Sequence, residues 1–107
     1  MAFYMYQASF TPEAWAKMVK EPQNREQAIR PLIEKLGGKL IGYWFAFGES
    51  DAVVIVQMPD NVSAAATAVA ATAGGALKSL KTTVLMSVDE SMQAMRKASG
   101  AGYRSPS

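Results

Sequence analysis

Residues 39–60 read KLIGYWFAFGESDAVVIVQMPD, and the fold turns on how this stretch is read. Two near-continuous apolar runs, Leu40 to Phe47 and Ala52 to Met58, are separated by Gly48, Glu49, Ser50 and Asp51 and closed by Pro59. Apolar runs of strand length around a cluster of turn residues predict a β-hairpin. Both runs are apolar at odd and even positions alike, so both sheet faces are expected to be covered.

The spacing sorts these side chains. A loop of two residues (Glu49, Ser50) or of four (Gly48 to Asp51) sets Phe47 opposite Ala52, Phe45 opposite Val54 and Tyr43 opposite Val56. One face then carries Tyr43, Phe45, Phe47, Ala52, Val54, Val56 and Met58, and is assigned to the core. The other carries Gly42, Trp44, Ala46, Val53, Ile55 and Gln57, and an odd loop length would exchange the two.

Working outward, Phe3 to Phe10 predicts a first strand, with Tyr4, Tyr6, Ala8 and Phe10 on one side and Phe3, Met5, Gln7 and Ser9 on the other. Thr11, Pro12 and Glu13 then supply a helix N-cap, a first-turn proline and an acid near the helix N-terminus. That helix runs through Trp15, Met18 and Val19 and is interrupted at Glu21-Pro22, after which Asn24 caps a continuation. Ile29, Leu32, Ile33 and Leu36 form one helical face, Pro31 predicts a kink, and Gly37-Gly38 ends the helix.

Downstream of the hairpin, Asp60 caps an alanine-rich helix over 61–73, whose small side chains allow close approach to a sheet. Gly74-Gly75 ends it, and Leu77 to Val88 predicts the last strand. Asp89 is expected to cap a short amphipathic helix over 89–98 carrying Met92 and Met95, with 99–107 as a flexible or docked tail. The order is β-α-β-β-α-β, an α+β chain of the ferredoxin-like, split βαβ class with an antiparallel sheet over residues 1–88 and an appended helix.

Composition narrows the function. At 107 residues the chain forms one domain, and with 50% hydrophobic and only 19% charged residues it is expected to bury part of its surface against a partner. A homodimer is the first expectation. The net charge of +2 comes from scattered basic residues, which disfavours nucleic acid. With no cysteine and no histidine there are no thiol nucleophiles, imidazole bases, zinc sites or histidine-ligated haem, so neither a metal nor a cofactor is expected. The opening MAFYMYQASF has no secretory pattern and no apolar run reaches membrane-spanning length, which makes a cytoplasmic location the expectation.

Matching apolar with apolar leaves a second sheet face of Phe3, Met5, Gln7, Ser9, Trp44, Ile55, Gln57, Thr83, Leu85 and Ser87. It is too apolar for water, yet carries neutral groups that need partners once buried. Two such sheets facing each other would enclose a candidate ligand cavity lined by Gln7, Ser9, Trp44, Gln57, Thr83 and Ser87. The alternative is a filled interface in which Gln7 and Gln57 pair with each other or with trapped water.

The stretch GESDAVVIVQMPDNVSAAA, with EKLGGKLIGYWFAFG upstream, resembles the GYD-domain family, whose members carry a Gly-x-Tyr-Asp turn in this hairpin. The likeness covers roughly Met1 to Val88, and the tail Ala-Gly-Tyr-Arg-Ser-Pro is similar to tails of bacterial members. Gly48 and Asp51 match the turn, while Ser50 stands where the tyrosine is usual. The resemblance implies a dimeric α+β barrel and no defined activity.

The turn itself, Gly48, Glu49, Ser50 and Asp51, is read as structural, with Gly48 free to adopt positive φ and Ser50 or Asp51 bonding amides within the loop. Tyr103 and Arg104 are expected to dock the tail across a dimer. Two functional readings stay open: a cofactor-free barrel that binds a small neutral or aromatic metabolite between its sheets, and a non-enzymatic dimerisation or regulatory module with a filled interface. No residue is assigned a catalytic role.

Overall fold

A computed structural model describes residues 1–106; Ser107, the last residue of the expected tail, lies outside the described residues. The elements are β1 (Ala2–Phe10), α1 (Pro12–Lys20), α2 (Arg25–Lys35), β2 (Lys39–Phe45), β3 (Ala52–Met58), α3 (Asn61–Ala73), β4 (Leu77–Leu85) and α4 (Val88–Ser99). The strands form one antiparallel sheet in the order β2-β3-β1-β4. This is the ferredoxin-like arrangement, with β3 inserted between the two strands of the first βαβ unit. No helix among the described residues is long and apolar enough to cross a membrane.

Local chemistry explains the boundaries. The Thr11 hydroxyl accepts from Ala14 N–H, the Asn24 side chain from Gln27 N–H and the Asp60 carboxylate from Ser63 N–H, so each expected cap is formed. The bond from Ser63 also holds the Asp60 carboxyl below its usual pKa. α2 continues unbroken through Pro31, which is exposed, so the carbonyl left without its N–H partner one turn earlier can meet water. α2 ends where Gly37, at φ +87°, donates to Glu34 O and Gly38 donates to Ile33 O, the paired bonds of a Schellman motif.

α1, α2 and α3 lie against one face of the sheet. There Tyr4, Tyr6, Val54, Val56 and Met58 pack with Leu40 of β2, Ile33 of α2 and Ala64 of α3. Buried phenols keep partners: Tyr6 donates to Ala64 O at 2.6 Å and Tyr4 to Asn61 Oδ1. Gly38 is needed for a second reason. A Cβ there would overlap the Met58 thioether and come within 2.7 Å of Gln57 O.

Three expectations are corrected. The hairpin register is displaced by two residues, with Phe45 opposite Ala52 and Tyr43 opposite Val54. The ladder continues to Ala46 N–H, which donates to Asp51 O, and Phe47 is expelled into the loop, fully exposed instead of in the core. A shift of two preserves the faces, so hydrophobic alternation could not discriminate between the registers. Phe45 is also 45% exposed, at the edge of an aromatic cluster with Phe10, Trp15 and Tyr43. Nearer the start of β2 a bulge at Ile41 turns Leu40 inward to pair with Val56.

The second correction concerns the C-terminal helix. β4 stops at Leu85, and Ser87, not Asp89, is the N-cap. Ser87 Oγ accepts from Glu90 N–H while the Glu90 carboxylate accepts from Ser87 N–H, a reciprocal capping box that Asp89 cannot make. Third, the far end of β4 is uncovered on the helix side, where Val84 stands beside Tyr4 and is 55% exposed. α4 buries none of its residues, and the Cα radius of gyration is 17.1 Å. A compact chain of this length would have about 13 Å.

Gly38→Ala is expected to destabilise the fold by about 1–3 kcal/mol, because a fully buried Met58 and a backbone carbonyl must both yield. Urea denaturation of the variant checks this. Alkali offers a second test. Burial raises the Tyr6 phenol above its usual pKa, against a lowering bond with Thr67, and burial raises Tyr43 against the pull of Arg25. As pH rises past about 10 the unfolded chain loses these protons first, so it binds fewer protons than the folded one and stability falls. Below that pH both states keep the proton and nothing is contributed. Urea midpoints followed from neutral pH into alkali should fall above pH ~10, and less steeply in Tyr6→Phe.

Candidate functional site

The face opposite the helices is bare. Registers place Phe3 between Gln57 and Leu85, Met5 between Ile55 and Thr83, and Gln7 between Val53 and Lys81. Trp44 lies beside Val53, and its indole rests on Gly42, where any Cβ would overlap the ring. Gly42 is buried beneath it, while Trp44 itself is 54% exposed and Phe3 39%.

Four of the expected cavity residues, Gln7, Trp44, Gln57 and Thr83, therefore share this face. The other two do not line it openly. Ser9 is buried with its hydroxyl donating to Glu49 O at 3.4 Å, and Ser87 caps α4 beyond the end of the strand. Sequence reasoning missed Lys81, two residues before Thr83, and Lys39, opposite Gln57. Extending the alternation of β4 by one step would have found Lys81.

The charges have a pattern. Both lysines stand on the edge strands β2 and β4, whereas the central strands β1 and β3 present only Phe3, Met5, Gln7, Val53, Ile55 and Gln57 around Ser9. An uncharged centre with a charged margin is the anatomy of a protein interface. Among the described residues neither the Gln7 nor the Gln57 amide is hydrogen-bonded within the chain. No strand residue on this face is an Asp or Glu, so the strands offer a neutral molecule amide, hydroxyl and indole groups.

The turn motif behaves differently from expectation. Gly48 has no positive φ and nothing within 4 Å of a built Cβ, so neither backbone nor crowding calls for glycine. The exposed Glu49 and the half-buried Ser50 lie in the loop. The Asp51 side chain does not bond within the loop. Its carboxylate oxygen accepts from Phe10 N–H at 2.9 Å and from the Trp15 indole N–H at 3.2 Å, and the residue's own N–H donates to Ala8 O at 2.8 Å. It is an anionic acceptor joining the hairpin, β1 and α1. In the tail, Tyr103 is 81% exposed and Arg104 is exposed, so neither docks on its own chain.

Asp51→Ala leaves the N–H of buried Phe10 and the half-buried Trp15 indole without an acceptor. Each orphaned donor costs about 1–3 kcal/mol, so a loss of about 2–4 kcal/mol is expected, measured by urea denaturation followed through tryptophan fluorescence.

Among solved structures, the crystal structure of MtbAldR aligns with a TM-score of 0.55 at 18% identity, over 80% of this chain and 52% of that one. The chain thus spans about half the length of that protein, and the likeness is one of fold. No curated protein matches the chain. The family model of the GYD domain matches residues 4–95, a span that holds the whole sheet core, the Asp51 turn and the first two turns of α4. The chain belongs to the GYD-domain family.

Proposed function

We propose that this GYD-domain chain works as a homodimer in which the bare sheet faces close on each other, and that the interior so formed takes a small neutral or aromatic molecule between Gln7, Trp44 and Gln57. The observation that carries the reading is the uncovered face itself: apolar at its centre, lysine-edged, and bearing two side-chain amides without a hydrogen-bond partner among the described residues. A patch of this kind is unfavourable in water unless covered. The flat indole of Trp44 on Gly42 offers a stacking surface, and the amides supply a donor and an acceptor each.

A second reading shares the dimer and differs only inside it. Phe3, Met5 and Leu85 cluster at one end of the face and are large enough to fill that part of the interface. In that case the protein is a non-enzymatic dimerisation or regulatory module, and the amides bond across the two-fold axis. The tail with Tyr103 and Arg104 would then close one mouth of the barrel in either reading.

Ile55→Lys introduces a charge at the centre of the face without touching the helix-side core. Light scattering after size-exclusion chromatography should show a dimer for the wild-type chain and a folded monomer for the variant. A monomeric wild type would remove the proposal. Native mass spectrometry of the purified dimer separates the two readings: a retained small molecule, lost in Trp44→Ala, supports the first, and a mass equal to two bare chains supports the second.

A further inference from the structure

The helix-covered face also has an unfilled space. α2 and α3 cover different strands, and between them lies a cavity of about 110 Å³ whose floor is Val54 and Leu80 and whose walls include Ile29, Ile33 and Ala71. Its inner polar groups are already used. The Tyr6 hydroxyl donates to Ala64 O and the Thr67 hydroxyl to Ser63 O. The mouth is chemically different, because Arg25 and Tyr43 stand there.

Arg25 is half-buried at the first position of α2 and makes no salt bridge with any described residue. Its hydrogen bond goes to the neutral Gln23 Oε1, at 3.1 Å. Nearby Glu26 is engaged with Arg30 instead. The hydrogen bond to Gln23 is at the surface, so the guanidinium sits at the solvent rim of the apolar cavity with no carboxylate partner among the described residues, and its planar fork matches an incoming carboxylate. Arg25 also borders an adjoining groove of about 260 Å³ that shares Phe10 and Ala76 with the cavity. Lys17 and Glu13 line that groove and offset each other.

We propose that this cavity binds a small aliphatic carboxylic acid, its carboxylate held by Arg25 and the Tyr43 hydroxyl at the mouth and its chain between Ile29, Ile33 and Leu80. Size sets the chain length. An apolar cavity of about 150 Å³ accepts benzene, so 110 Å³ suits a chain of about three carbons with the carboxylate outside. The site lies on the opposite face of the sheet from Trp44 and is complete within one chain, so it stands or falls separately from the dimer.

The experiment is an amide NMR titration of the full chain with butanoate, and with butanamide as its neutral isostere. Butanoate should shift the amides of Ile29, Ile33, Ala71 and Leu80 saturably, and butanamide should bind about tenfold more weakly or less. Arg25→Gln should weaken butanoate about tenfold and leave butanamide unchanged, which separates loss of the charge from damage to the cavity. Tyr43→Phe, which removes one donor and keeps the ring, should weaken butanoate several-fold and serves also if the arginine variant does not fold. The proposal is overturned by an absence of saturable shifts, by equal affinity for acid and amide, by unchanged butanoate binding in both variants, or by shifts gathered around Trp44.

Discussion

A single carboxylate sets the geometry of this end of the molecule. Asp51 accepts from the Phe10 amide and the Trp15 indole, while its own amide joins Ala8 O. The donors come from the end of β1 and from α1, and the acceptor is the residue before β3, so the hairpin turn is fixed to two neighbouring elements 41 and 36 residues earlier in the chain. With Asp51 held against β1, the hairpin closes by the Ala46–Asp51 pair and the residues between become an outward loop. The aromatic cluster of Phe10, Trp15, Tyr43 and Phe45 assembles beside it. Because the bonds are charge-assisted and partly shielded, each is stronger than a neutral one in water.

The sheet that this contact helps to align has unequal faces. The helix side is a packed core in which phenols, a methionine and small residues of α3 are satisfied within the chain. The other side exposes Phe3 and Trp44 and carries its charges only on the edge strands. Edge lysines also discourage pairing of β2 and β4 with strands of other chains. Association through the sheet edges is thereby disfavoured.

The two helices of the sheet layer do not cover it evenly. α2 lies over β2, α3 lies near β4, and the space between them is floored by β1, β3 and β4, with Arg25 and Tyr43 at its mouth. The same uneven cover leaves Val84 bare, and with α4 extended and its apolar stripe of Val88, Met92 and Met95 exposed, more of the surface is apolar than one layer of helices can hide.

Much of this was legible in the residues. Helix caps at Thr11, Asn24 and Asp60, the glycine pair after Leu36 and the succession of strands and helices along the chain follow from short-range chemistry and from periodicity, which act over a few residues. The division of β1 and β3 into a core face and a bare face was likewise determined, because alternation survives any even shift of register. The register itself, the bulge at Ile41, the exposure of Phe47 and the partners of the Asp51 carboxylate are set by tertiary contacts. Each depends on contacts between segments tens of residues apart, which local pattern does not encode. The place of Arg25 is of the same kind: in sequence it is one basic residue after a helix cap, and only the packing of α2 beside Tyr43 leaves it half-buried at the mouth of an apolar cavity.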